Sequence, residues 1–125
     1  MKKTVFFVAS LLFIMSVLCV GVFASGTNPS VVDEAGILTS SEEEAISSKI
    51  EEIVSKYDFD VLVLLVGDTD GYTPHQFSRD YYITNGYGCG SEKNGCMLLI
   101  SLEERDIVIS SNGSYGEYAF TEFGR

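Results

Sequence analysis

Six consecutive apolar residues, Val61 to Val66, constrain the fold of this chain more than any other stretch. A strand apolar on both faces belongs in the interior of a sheet covered by helices on both sides. Asp58-Phe59-Asp60 precedes the run and Gly67-Asp68-Thr69-Asp70-Gly71 closes it, so it has strand length. Upstream, Thr39-Ser40-Ser41-Glu42-Glu43-Glu44 reads as a helix start, with a hydroxyl to accept a free backbone N–H and acids to suit the positive helix end. Ala45, Ile46, Ile50, Ile53, Val54 and Tyr57 then recur at helical spacing. Downstream, Thr73-Pro74 opens a second helix that carries Phe77, Tyr81 and Tyr82 inward and fades at Asn85-Gly86.

The stretch Asn85 to Gly113 supplies the rest of the sheet. A glycine-rich loop enters the apolar run Cys96 to Leu102, a charged turn Glu103-Glu104-Arg105-Asp106 follows, and Ile107 to Ser111 alternates before Asn112-Gly113. Two strand-like runs joined by a tight polar turn predict a hairpin. With a short strand at Val31-Val32-Asp33 and a helix start after Tyr115, the order is β-α-β-α-β-β-α. That order predicts an α/β/α sandwich built on a small mixed sheet, with the last two strands antiparallel. The final segment reads as a helix start that is cut off, so the C-terminal part of the domain is expected to be incomplete.

The first 24 residues read as an address. Lys2 and Lys3 precede an almost wholly apolar stretch from Thr4 to Phe23, and Val22-Phe23-Ala24 offers short side chains where a signal peptidase reads. Cleavage after Ala24 is expected, with an uncleaved membrane anchor as the alternative. Residues 25–30 then form a linker and residues 31–125 the domain. Without residues 1–24 the chain carries 6 basic and 18 acidic side chains, a net charge of −12 over 101 residues. Such a surface repels nucleic acid and anionic headgroups and suits cations, although solubility alone accounts for it. About a hundred residues allow one domain with one core.

Cys89 and Cys96 flank the glycine loop. In an exported protein a disulfide between them is one reading, free thiols are a second, and a metal site is a poor third because His75 is the only other soft ligand. His75 itself stands in the first turn of a helix, where the dipole disfavours its charged form, and a surface role is expected. Asp68-Thr69-Asp70-Gly71 fails the EF-hand spacing and reads as a turn. Gly86-Tyr87-Gly88-Cys89-Gly90 precedes a strand where a dinucleotide loop would follow one, so that reading is rejected, although an anion-binding nest of backbone N–H groups stays open. Asp33, Glu92, Asn94, Asp106 and Glu122 are the oxygen donors at strand and loop ends. A hard cation such as calcium would draw on such donors. The plain alternative is that Asp33 caps a turn and Asn94 takes a left-handed turn before Gly95. Arg105 has the geometry for bidentate phosphate binding, or for a weak surface ion pair with Glu103, Glu104 or Asp106.

Val32-Asp33-Glu34-Ala35-Gly36-Ile37-Leu38, Tyr87-Gly88, Lys93-Asn94-Gly95-Cys96-Met97-Leu98-Leu99-Ile100, Arg105-Asp106, Ser111-Asn112-Gly113 and Ala119-Phe120-Thr121-Glu122-Phe123-Gly124 together resemble the TPM domain family in order and spacing. The resemblance implies an exported or membrane-tethered α/β sandwich. Some members look like assembly or repair factors for membrane complexes, and others are described as acid phosphatases or calcium binders. Lys93 stands where the family commonly carries Asp, and Glu122 where it commonly carries a shorter Asp.

Two function classes follow. One is an extracytoplasmic binding or assembly module at the membrane surface, whose partner is an extracytoplasmic or membrane protein and not nucleic acid. The other, carried mainly by the resemblance, is an acid phosphatase-like hydrolase in which Asp33, Asn94 and Glu122 hold calcium or another divalent cation and Arg105 holds the phosphate. The residues supply no convincing nucleophile–base pair, so the choice between enzyme and binding module stays open.

Overall fold

A computed structural model describes residues 28–122, with the side chains of residues 118–122 excepted. The expected signal segment lies outside the described residues. Seven elements follow one another: β1 (Val31–Asp33), α1 (Ser40–Tyr57), β2 (Asp60–Val66), α2 (Pro74–Thr84), β3 (Gly95–Ser101), β4 (Asp106–Asn112) and α3 (Gly113–Glu122). The sheet order is β1-β2-β3-β4. The first three strands are parallel and β4 is antiparallel to β3. This is the α/β/α sandwich with a small mixed sheet that the element order predicts.

Local chemistry sets the helix ends. Thr39 caps α1 through a reciprocal box with Glu42, whose carboxylate accepts from the Thr39 N–H at 2.8 Å. The helix stops at Asp58, which adopts a left-handed conformation. Thr73 caps α2, with Pro74 in its first turn. Along α1 only part of the apolar stripe is covered. Ile50 is buried, whereas Ile53 and Tyr57 are exposed. The reason is placement, because α1 packs on β1 and β2 and β1 is only three residues long.

The core lies on the other helix's side of the sheet. Leu62, Leu64, Val66, Met97, Leu99 and Val108 pack with Tyr82 and Tyr87, and Val32, Phe77 and Tyr81 border them. The register places Leu64 beside Leu99 and Leu99 beside Val108, so three strands contribute to one layer. The predicted linker is tied down at its end. Asn28 donates to the Asn85 carbonyl at 2.7 Å, Tyr87 donates its hydroxyl to the Pro29 carbonyl at 3.0 Å, and Ser30 accepts from the Val63 N–H at 2.9 Å. Among the described residues no helix is long and apolar enough to cross a membrane.

Beyond the carboxyl ends of β2 and β3, a polar cluster joins two loops. Thr69 and Ser101 are fully buried. Glu104 accepts from the Thr69 N–H at 3.3 Å and from its hydroxyl at 3.2 Å, and it also accepts from the Ser101 hydroxyl. These hydrogen bonds, the one from Ser101 foremost, hold the Glu104 carboxyl below its ordinary pKa of 4.5. A depressed carboxylate adds stability above its unfolded pKa and loses it as the pH falls through the folded value. Glu104→Gln is therefore expected to lower Tm at pH 7. The gap to wild type should close as the pH falls below 4.5. A gap unchanged between pH 7 and pH 3 would show that charge plays no part.

Candidate functional site

The site is built around the glycine loop. Cys89 and Asn94 exchange two backbone hydrogen bonds of 2.9 and 2.8 Å, which makes Gly90-Ser91-Glu92-Lys93 the tip of a small hairpin. Gly88 enters it at φ +104, and a Cβ there would lie 2.6 Å from the carbonyl carbon and oxygen of Lys93. Only glycine permits that approach. The Gly88 N–H donates to the Asp60 carboxylate at 2.6 Å, and the Asp60 N–H donates to the Asn94 carbonyl at 3.2 Å. The loop is thus fastened to the start of β2.

The same loop holds the start of α3. The Asn94 side-chain oxygen accepts from the Tyr115 N–H at 3.1 Å, the Asn112 amide donates to the Lys93 carbonyl at 2.8 Å, and Ser114 donates its hydroxyl to Glu92. Asn94 is nearly buried and is committed to this task. Beneath it, the Tyr82 hydroxyl is buried without a hydrogen-bond partner. It occupies the space left by the missing side chain of Gly95, where a Cβ would collide with it and come within 2.5 Å of the Asp60 carbonyl. Burial first, and then the charge of Asp60, pushes the Tyr82 hydroxyl well above its usual pKa.

Beside this loop an open cleft of about 910 Å³ runs between α2, β4 and α3. His75 and Arg79, one helical turn apart on α2, form one wall, Glu92, Ser114 and Glu117 stand opposite, and Ile109 to Asn112 run alongside. Arg79 forms no ion pair among the described residues. The Ser78 hydroxyl closes the base of α2 against the Ser110 hydroxyl at 2.5 Å. The cleft is lined by a guanidinium, an imidazole, carboxylates and several hydroxyls around a half-apolar strand. Such a lining has the chemistry to meet a polar ligand.

The predicted site residues do not converge. Asp33 pairs in register with Leu65 at the carboxyl end of the parallel strands, whereas Asn94 precedes Gly95, which pairs with Asp60 at the opposite end. At about 3.3 Å per residue the two ends are roughly 16 Å apart. Asp33 and Asn94 therefore do not share a cation. Asp33 instead ties its own turn, accepting from the N–H groups of Gly36 at 2.8 Å and Leu38 at 2.7 Å. Glu122 ends α3, and its side chain lies outside the described residues. Arg105 is exposed in the β3–β4 turn with φ +55, at the Asp33 end of the sheet and away from the cleft. Among the described residues no group of three His, Cys, Asp or Glu side chains is placed to hold a metal ion. Cys89 and Cys96 are free, half-buried thiols.

The roles of Asp60 and Arg79 emerge only from the fold, and so does the contact of Tyr82, expected to face inward, with Gly95. A pattern search had one cue for Asp60, an acid at the mouth of a wholly apolar strand. For Arg79 the cue was its i,i+4 spacing from His75.

The order of strands, the glycine hairpin and the capped α3 define a class: a mixed-sheet α/β sandwich with a ligand-sized cleft at its edge strand. The TPM domain family model matches residues 31–122. The chain belongs to the TPM domain family. No curated protein matches it. Among solved structures, it is similar to the N-terminal domain of a protein from P. gingivalis, with 23% identity, a TM-score of 0.64, and coverage of 77% of this chain and 60% of that one. It is also similar to the N-terminal domain of a Corynebacterium glutamicum protein, with 22% identity, a TM-score of 0.58, and coverage of 70% and 55%. The match spans less than two thirds of either solved chain, and at such identity these likenesses speak for the fold.

Proposed function

We propose that this domain is a binding module that takes an extended segment of a partner protein along the free edge of β4. The observation that carries the reading is that, among the described residues, β4 is an edge strand with the cleft running beside it. An edge strand presents unpaired N–H and C=O groups, and strand addition with side-chain pockets alongside is a general mode of peptide recognition. His75 and Arg79 suit an acidic side chain on the ligand. The N-terminal apolar segment supports an extracytoplasmic setting, where the partner is an exported or membrane protein awaiting assembly.

Peptides selected for binding from a displayed library test the idea. Bound peptides should protect the outward amides of β4 from hydrogen exchange, and Arg79→Glu should weaken acidic ligands about tenfold, equivalent to about 1.4 kcal/mol. Ligands that leave β4 exchange unchanged would sink the reading.

The hydrolase reading draws support from the name of the matching family model, TPM_phosphatase. A hydrolase site in the cleft would take its phosphate-holding cation from Arg79, which lines it, whereas Arg105 lies at the Asp33 end of the sheet. Turnover of a generic phosphate ester that requires added divalent metal and is lost in Arg79→Gln would favour it.

A further inference from the structure

We propose that Cys89 and Cys96 form an intramolecular disulfide that clamps the glycine hairpin to the first turn of β3. The hairpin geometry carries this. Cys89 and Asn94 are a doubly hydrogen-bonded antiparallel pair. In such a ladder, residues two apart on one strand project to the same side. Cys96 stands two residues beyond Asn94 and is therefore the diagonal neighbour of Cys89 on one side of the hairpin. Diagonal neighbours lie about 7–8 Å apart with their Cβ atoms closer, and a disulfide needs a Cα separation of roughly 4.4–6.8 Å. A closure of about 1–2 Å is enough. Gly90, at φ +69 and facing open space, flanks Cys89 and leaves the backbone room to make it.

The electrostatics define what kind of bond this is. Burial first, and then the Asp60 carboxylate, pushes the Cys96 thiol up to about 11. The same two causes, joined by Asp58, raise Cys89. Thiols held protonated exchange slowly, which suits a structural clamp better than a cycling redox centre. Its formation needs a disulfide oxidant, of small-molecule or protein type. One thiolate attacks the oxidant's sulfur to give a mixed disulfide, and the second displaces the oxidant's remaining thiol. The two protons go to solvent and the two electrons leave with the reduced oxidant. Because Asn94 lies within the clamped loop and caps α3 through Tyr115, the clamp also fixes one wall of the cleft.

The test is treatment of the purified full chain with oxidised glutathione, followed by non-reducing mass spectrometry. The expected product is a monomer lighter by two hydrogens. Trypsin cuts after Lys93, so it should release two peptides joined through Cys89 and Cys96. Closing so short a loop should raise Tm by on the order of 5 °C, reversibly with reductant. Cys89→Ser should keep its fold by circular dichroism and show neither change. Glutathione adducts on both cysteines, a bond from either to Cys19, a bond between two chains, or thiols left unreacted would each overturn the proposal.

Discussion

Leu99→Ala is expected to destabilise the domain by about 3–4 kcal/mol. Leu99 is fully buried at the centre of β3, in register with Leu64 on one side and Val108 on the other. Truncation removes apolar surface from water-free packing and leaves a cavity that three strands cannot collapse into. A domain of this size holds about 5–15 kcal/mol in total, so the loss is a large fraction. Urea unfolding gives the measurement, with Ile109→Ala as the comparison. Ile109 is 56% exposed on the same sheet and should change stability by less than about 0.5 kcal/mol. Similar losses at the two positions would mean that the core does not lie where β2, β3 and β4 bring Leu64, Leu99 and Val108 together.

Gly88→Ala is expected to cost on the order of 3 kcal/mol, combining a strained positive φ with overpacking against backbone. The added Cβ meets the Lys93 carbonyl at 2.6 Å, and backbone cannot move aside as a flexible side chain would. Gly90→Ala isolates the two causes. Gly90 also has positive φ, at +69, but a Cβ there meets nothing within 4 Å. It should therefore cost only about 1 kcal/mol. Because Gly88 also donates to Asp60, the Ala variant should loosen the hairpin that caps α3 and expose the Tyr115 amide to exchange. Equal costs at Gly88 and Gly90 would show that the close approach to Lys93 is not real.

The contrast between these glycines bears on what could be read beforehand. The stretch Gly86 to Gly95 announces a tight loop before a strand, and the loop is there. Nothing in the string separates Gly88, which is pressed against backbone, from Gly90, which faces open space. Asp33 gives the same lesson. Its place at the end of a short strand is legible, and so is its alternative as a turn cap, which its bonds to Gly36 and Leu38 realise. Its distance from Asn94 depends on which end of β3 lies beside which end of β2, and that is a matter of register.

What the sequence determined by itself was the local layer: the helix start at Thr39 with Glu42, Pro74 opening α2, the doubly apolar β2, and the hairpin of β3 and β4. Each depends on neighbours within about one turn or one strand, where periodicity and capping chemistry act. Only the tertiary structure decided that β4 is the edge strand among the described residues, that His75 and Arg79 share a cleft with Glu92 and Ser114, and that Asp60, Tyr82 and the two thiols meet beneath the glycine hairpin. Most of those juxtapositions join residues that lie in different strands and helices. Strand order and register fix them, and both are settled by the packing of the whole sheet.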